Sequence, residues 1–419
     1  MSVTTETRTD TVQVQESFPD RETRTPAPKR RLHVLLMDLW SFVPYYMAAL
    51  TQALPAENVN AGLLSATYRF DPEYFRKNGI RNNAGLIDFV SRRNIRSSRL
   101  QQWLKAIEYC CNLLILAVKF IFVRPDIIHV QYLALLSRGL PVELLLLQEA
   151  KLLGIKVVCT IHNILPHDTG DRHKPAFRRL YRMSDLIICH NRATKQRLTE
   201  EFGILNNVEV IPHGLLQQSQ APLTQAEARA RLQLPQHRCI VLWQGVIVPY
   251  KGLDFLLDAL SKLNREVLLV IAGTGKENIL NAVRARVAGL EQNRRDSVRL
   301  DLSYIPPEQL PFYYAAADIL VYPYKQITSS GALLTGIGYG KAIVAAKLPT
   351  FEEMLCDKKE ALLVSYGNTD ELAQAINTLA ADAGLRARLG SAAKQLAETK
   401  YSWEQIAART RDCYDRLMI

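Results

Sequence analysis

The sequence predicts an α/β protein built from two doubly wound parallel sheets facing a cleft. Three observations lead there. Short β-branched runs alternate with helical periods along almost the whole chain, the mark of parallel strands covered by helices on both faces. One polar stretch, "LLQQSQAPLTQAEARARLQLPQHR" at 215–238, interrupts the alternation. At 419 residues the chain exceeds one ordinary core, and a split into two domains follows.

The elements then fall in order. Residues 1–31, rich in Thr, Arg, Glu and Pro, lack periodicity and read as a mobile tail; without an apolar core segment they are no signal peptide. Strand-like runs follow at 31–40, 59–68, 125–133, 156–164, 185–190 and 208–214, with helical stretches between them. After the polar linker a second series places strands at 239–248, 266–275, 297–304, 318–324 and 360–368, with "ITSSGALLTGIGYGKAIVAA" (327–346) between the last two. From "DELAQAIN" onward the apolar spacing of three and four is helical. The first domain is therefore set at 32–214, the linker at 215–238, the second domain at 239–400 and a final helix within 401–419. Ligands of such sheets bind beyond the carboxyl ends of the strands, so the cleft is the expected site.

Composition narrows the class. An apolar share of 48% with 22% charged residues belongs to a folded soluble protein. The seven cysteines lie mostly in apolar runs without a CxxC pair, which suits reduced core residues in a cytosolic protein and indicates neither metal nor disulfide framework. The net charge of +11 is uneven: residues 1–214 carry 28 Lys/Arg against 20 Asp/Glu, the remainder 24 against 21. Nine of those bases fall within 69–105, beside only three acids. "LQQWLKAIEYCCNLLILAVKFIFVRPD" (100–126) follows directly, helical but too interrupted by charge to span a bilayer. Two readings stand: a surface resting on anionic lipid, or a core helix with a solvated basic loop before it. Nucleic acid is disfavoured, because aromatics do not interleave with the basic cluster.

Candidate site residues cluster at strand ends. Gly245, the pair Gly273 and Gly275, and the turn Ser329, Ser330, Gly331 each stand where a strand gives way to a helix. Such turns offer free backbone N–H groups, and glycine lets an anion approach. Lys251 opens a helix, the wrong end for a cation unless an anion lies there too; a solvated lysine is the alternative. One of the two serines is accounted for by helix capping, and Gly336 and Gly338 by packing. In the first half, His162 ends a strand and can hydrogen-bond a sugar hydroxyl or a phosphate, or be a core histidine satisfied by backbone. Asp38, at the end of the first strand, is a candidate general base or the cap of the next helix.

Taken together, "TIHNILP" (160–166), "FRRLYRMSDLIICHNRATKQRL" (177–198), "VEVIPHG" (208–214), "GVIVPYKGLDFLLDAL" (245–260), "LLVIAGTG" (268–275), "YYAAADILVYPY" (313–324) and "GYGKAIVAAKLP" (338–349) resemble the GT-B glycosyltransferases, in particular the GT4-like nucleotide-sugar enzymes of bacterial polysaccharide and glycolipid synthesis. The resemblance implies an acceptor-binding first domain, a nucleotide-sugar-binding second domain and a C-terminal helix crossing back to the first. It places the diphosphate-neutralising lysine on Lys251, the cleft histidine on His162 and the glycine-rich donor turn on Gly273 and Gly275. The family's motif arginine falls on Val246, and its E-x7-E acids fall on Ile327 and Thr335, so all three charges are absent. Donor contact there is left to Ser329, Ser330, Gly331 and Thr335.

The implied activity moves a sugar from a nucleotide-diphosphate sugar to a lipid-linked or polysaccharide acceptor, at the inner face of the membrane, with no cofactor or metal. Two rivals stay open: a sugar-nucleotide epimerase of the same fold, and a silent scaffold that binds nucleotide or glycan.

Overall fold

The computed structural model describes residues 30–66, 71–80, 85–90, 98–166, 170–215, 223–327 and 330–419. The tail up to residue 29, Ser329 and the basic residues Arg69, Arg81, Arg92, Arg93 and Arg96 lie outside the described residues, as does the side chain of Arg99.

Two six-stranded parallel sheets form the molecule. The first contains β1 (Leu32–Met37), β2 (Val59–Leu64), β3 (Ile127–Val130), β4 (Lys156–Ile161), β5 (Leu186–Cys189) and β6 (Val208–Val210), in the order β2-β1-β3-β4-β5-β6. The second contains β7 (Cys239–Gln244), β8 (Val267–Ala272), β9 (Val298–Asp301), β10 (Ile319–Tyr322), β11 (Ala342–Ala346) and β12 (Leu362–Val364), in the order β12-β11-β10-β7-β8-β9. Both faces of each sheet are covered, which is why β8 and β11 bury every side chain and read as continuous apolar runs.

Strand order reverses between β1 and β3 in the first sheet and between β7 and β10 in the second. Connections leave these strand pairs toward opposite faces, which opens a crevice at their carboxyl ends. Asp38 follows β1 and Gln131 follows β3; Gly245 follows β7 and Tyr324 follows β10.

Observed strands are shorter than the apolar runs that announced them. The run 239–248 reads as one strand, yet β7 stops at Gln244 because Gly245 takes φ +140° and turns the chain. The stretch 327–346 divides into a helix, Gly331–Gly338, and β11. Gly336 faces β10 so closely that a Cβ would collide with the Tyr322 hydroxyl and Leu320, which makes its role one of packing.

The final helix, Trp403–Leu417, starts under a Ser402 cap that accepts from Gln405 N and packs against the first domain. Its Arg411 is 1% exposed. The guanidinium donates to the carbonyls of Glu57, Asn58 and Arg30 and to Asp415 Oδ1, so every side of the buried cation meets an oxygen. Tyr414 adds a 2.6 Å contact between its hydroxyl and His129 Nδ1 at β3.

Candidate active site

The second sheet supplies a cradle at its switch point. Gly245 N donates to Ala272 O and Gly273 N to Asp301 O, which sets the turns after β7 and β8 side by side. Gly273, at φ +154°, lies so close to Gly245 O that no Cβ fits between them. Gly275 completes the pair, bridging to Ile247.

Lys251 ends a short turn, Pro249–Lys251, and reaches back over this cradle. Its Nζ lies 5.8 Å from the Tyr324 ring centroid. No carboxylate pairs with it among the described residues, and burial pulls its pKa down to about 8. The Tyr324 hydroxyl is buried in the same place, beside Ser330. A half-buried ammonium and a buried hydroxyl thus meet at a strand-order reversal, an arrangement able to hold an anion.

The turn before Gly331–Gly338 is partly committed to its own helix. Ser330 caps it, with Oγ accepting from Leu333 N at 3.2 Å. Thr335 is buried and its hydroxyl donates to Gly331 O at 2.9 Å. Gly331 is the first helical residue, and its amide is among the free donors of the helix start. Where the resemblance expects an arginine, Val246 is half exposed; Ile327, in place of an acid, packs against the second domain's core.

The first sheet contributes histidines. His162 follows β4, His190 follows β5 and His213 lies three residues beyond β6. Their rings meet: the centroids are 5.0 Å apart for His162 and His190 and 5.1 Å for His190 and His213. Tyr46 touches all three at 4.8–5.5 Å, and Trp403 of the final helix closes the group against Tyr46 and His213. Burial lowers the pKa of each histidine, His162 well below its usual value and His190 to about 3, so the cluster is neutral near pH 7. The ring contacts reinforce this, since a second positive charge beside the first is disfavoured.

Sequence reasoning singled out His162 alone and missed its two neighbours. A signal was present: "TIH", "ICH" and "IPH" each put a histidine at the end of an apolar run, and parallel pairing of β4, β5 and β6 sets those ends in a row.

Asp38 lies deeper than a group exchanging protons with a substrate would. It is fully buried, its Oδ2 accepts from Val43 N at 2.9 Å at the start of helix Pro44–Ala53, and its Oδ1 is unpartnered among the described residues. Burial raises its pKa to about 7, against the opposing pull of nearby backbone amides. The geometry serves the helix start. Asp38 is thus apart from His162, which sits at the end of β4, two strands away in the sheet.

Comparison with known proteins bears on the chain as a whole. The family description "Glycosyltransferase Family 4" matches residues 43–215, and "Glycosyl transferases group 1" matches residues 238–382. A D-inositol 3-phosphate glycosyltransferase of Streptomyces bingchenggensis is 28% identical over 267 residues, covering 59% of this chain and 58% of that protein. A second, of Xylanimonas cellulosilytica, is 30% identical, covering 55% and 57%. The GDP-mannose-dependent alpha-(1-6)-phosphatidylinositol monomannoside mannosyltransferase of Mycolicibacterium smegmatis is 27% identical, covering 61% and 68%. The chain thus spans somewhat more than half the length of the first two relatives. Among solved structures, Anabaena Alr3699/HepE in complex with UDP aligns over 92% of this chain and all of that one, with a TM-score of 0.69 at 18% identity. A glycosyltransferase from Rickettsia africae aligns over 93% of this chain and 99% of that one, at 0.71 and 16%. The two family matches adjoin across the linker and cover most of the residues, the fold agrees from end to end, and the chain belongs to the GT4-like glycosyltransferases of GT-B fold.

Proposed function

We propose that this protein transfers a sugar from a nucleoside-diphosphate sugar held on the second domain to an acceptor held on the first. The observation that carries the reading is Lys251: an ammonium drawn against Gly245 in the cradle of Gly245, Gly273 and Gly275, with no carboxylate paired to it among the described residues. As the glycosidic bond breaks, the departing diphosphate gains negative charge, and a preorganised cation with helix-start amides stabilises it most when that charge is greatest. The GT-B neighbour HepE is described in complex with UDP-glucose, which supports a donor of this class.

The acceptor belongs, in this proposal, to a membrane surface. The relatives act on inositol 3-phosphate and on a phosphatidylinositol mannoside, and helix Ser98–Phe122 supports the same idea. It buries Tyr109, Leu113, Leu116 and Phe120 in the core while Leu100, Trp103, Ile107, Leu114, Val118 and Ile121 face outward. Among the described residues no helix is long and apolar enough to cross a membrane. An outward stripe without charge, about 35 Å long at the rise of a helix, suits one lying in the lipid interface.

A panel of nucleoside-diphosphate sugars tests the reading, scored for donor hydrolysis and for transfer to phosphorylated or lipid-linked polyols. Turnover with one donor, abolished in Lys251→Ala while the fold is retained, is the expected result. Full turnover in that variant removes the donor assignment. Binding without turnover of any donor favours the scaffold, a reading that the loss of all three motif charges at Val246, Ile327 and Thr335 would explain.

A further inference from the structure

The three-histidine group contains a proton-placement constraint that decides what His162 can bind. His190 Nδ1 lies 3.1 Å from the carbonyl oxygen of Ile211. A carbonyl only accepts, so that nitrogen carries the hydrogen. In a neutral ring the other nitrogen, Nε2, is then a bare lone pair. It faces His162 Nδ1 at 3.3 Å, and two lone pairs do not make a hydrogen bond. His162 must donate from Nδ1. Neutral in turn, His162 has no hydrogen on Nε2.

We propose that His190 is a positioning residue that fixes the tautomer of His162, keeping its proton on Nδ1 and leaving Nε2 as a hydrogen-bond acceptor. The consequence is chemical selectivity. A bare Nε2 takes a proton donor, such as a hydroxyl of the sugar or of a polyol acceptor, and it repels a phosphate oxygen. Gln131 Oε1 stands 3.0 Å from Nε2, and the amide nitrogen of Gln131 3.5 Å from Thr160 Oγ1; amide oxygen and nitrogen exchange places on a half-turn, and the proposal requires the turned amide, which offers NH2 to this lone pair and gives way to a substrate hydroxyl.

The opposite arrangement, with Nε2–H donating to Gln131, requires His190 or His162 to carry both ring hydrogens. That cation would lie against the neighbouring rings of Tyr46 and His213, with no carboxylate recorded against it among the described residues. Burial holds the His190 pKa near 3 and argues the same way.

The proposal rests on the placement of His162 in the site, but its test reads the proton and not the transfer. Nitrogen NMR of the full chain, with histidine rings labelled and His162 assigned from His162→Asn, distinguishes protonated from bare ring nitrogens. The expected state near neutral pH is Nδ1–H with bare Nε2. His190→Gln keeps an acceptor oxygen and preserves that state, whereas His190→Leu releases the ring to the Nε2–H form favoured by free histidine. A protonated Nε2 in the unaltered chain overturns the proposal, as does a His162 unmoved by His190→Leu. Where turnover is measurable, kcat falls about tenfold in His190→Leu, the worth of one aligned hydrogen bond, and is restored in His190→Gln. If the Leu variant does not fold, the unaltered chain and the Gln variant still decide.

Discussion

The ammonium of Lys251 rests against the bare Cα of Gly245, where a Cβ would stand 2.5 Å from Nζ. The smallest possible side chain at 245 therefore competes with the cation for one volume. Gly245→Ala is expected to displace Lys251 and, at φ +140°, to strain the turn by roughly 1–3 kcal/mol. Calorimetric titration with a nucleoside diphosphate should show affinity reduced at least tenfold, with a melting temperature a few degrees lower. Unaltered affinity would separate the lysine from the donor phosphates.

Protonation of Lys251 should be visible in donor binding. Its pKa in the free protein is about 8, so the ammonium form wanes as pH rises through 8 and a dianionic ligand loses its partner. Affinity for the nucleoside diphosphate is expected to weaken above pH 8, and binding there to take up protons, measured as a buffer-dependent heat. Lys251→Met should be weak and flat across the same range. Chelation by EDTA should leave the rate unchanged in this charge scheme; inhibition reversed by a divalent ion would contradict it.

Asp38 predicts the reverse of the usual acid lability. Its folded pKa, about 7, lies above the model-compound value of 3.8, so between these values the folded state binds the extra proton. Its contribution to stability is complete below pH 3.8 and is lost as pH rises through 7. Asp38→Asn retains an acceptor for Val43 N and should be more stable than the parent above pH 7, by on the order of 2–4 kcal/mol. Denaturant melts at pH 6 and pH 8.5 decide this, and the same variant's turnover tells whether the carboxylate has any part in chemistry.

The outward face of Ser98–Phe122 gives a binding prediction. Trp103 and Phe122 are 72% and 80% exposed, and replacing Trp103, Ile107 and Leu114 by Ser should leave the melting temperature within a few degrees of the parent. Sedimentation with vesicles containing anionic phospholipid should fall at least tenfold. Retention of the triple variant on the vesicles would end the membrane proposal, and conversion of a parent dimer to monomer would reassign the stripe to a second copy of the chain.

Much of the architecture was legible because fully buried parallel strands need apolar, β-branched residues on both faces, and "LLVIAG" or "AIVAA" satisfy few other structures. The glycine turns were legible too, since Gly245 and Gly273 occupy strand ends where backbone meets backbone. The histidine group was not, because it depends on three side chains brought together only by strand order. Asp38 shows the same limit: an acid after the first strand looks the same in sequence whether it faces a ligand or accepts, as it does here, from the amide of Val43 at a helix start.

The returning helix also bears on how the chain is made. Trp403, Ile406, Ala407 and Tyr414 share one core with Leu32, Val34, Met47 and Leu50, so segments more than 350 residues apart in sequence must meet. The first sheet and the helix Pro44–Ala53 can pack while the ribosome is still at work, but the part of that face under Trp403, Ile406, Ala407 and Tyr414 stays uncovered until the second sheet has been synthesised and the returning helix emerges. During that interval the half-finished domain exposes apolar surface to whatever is nearby, and a chaperone able to wait out the synthesis of nearly two hundred further residues would find its client there.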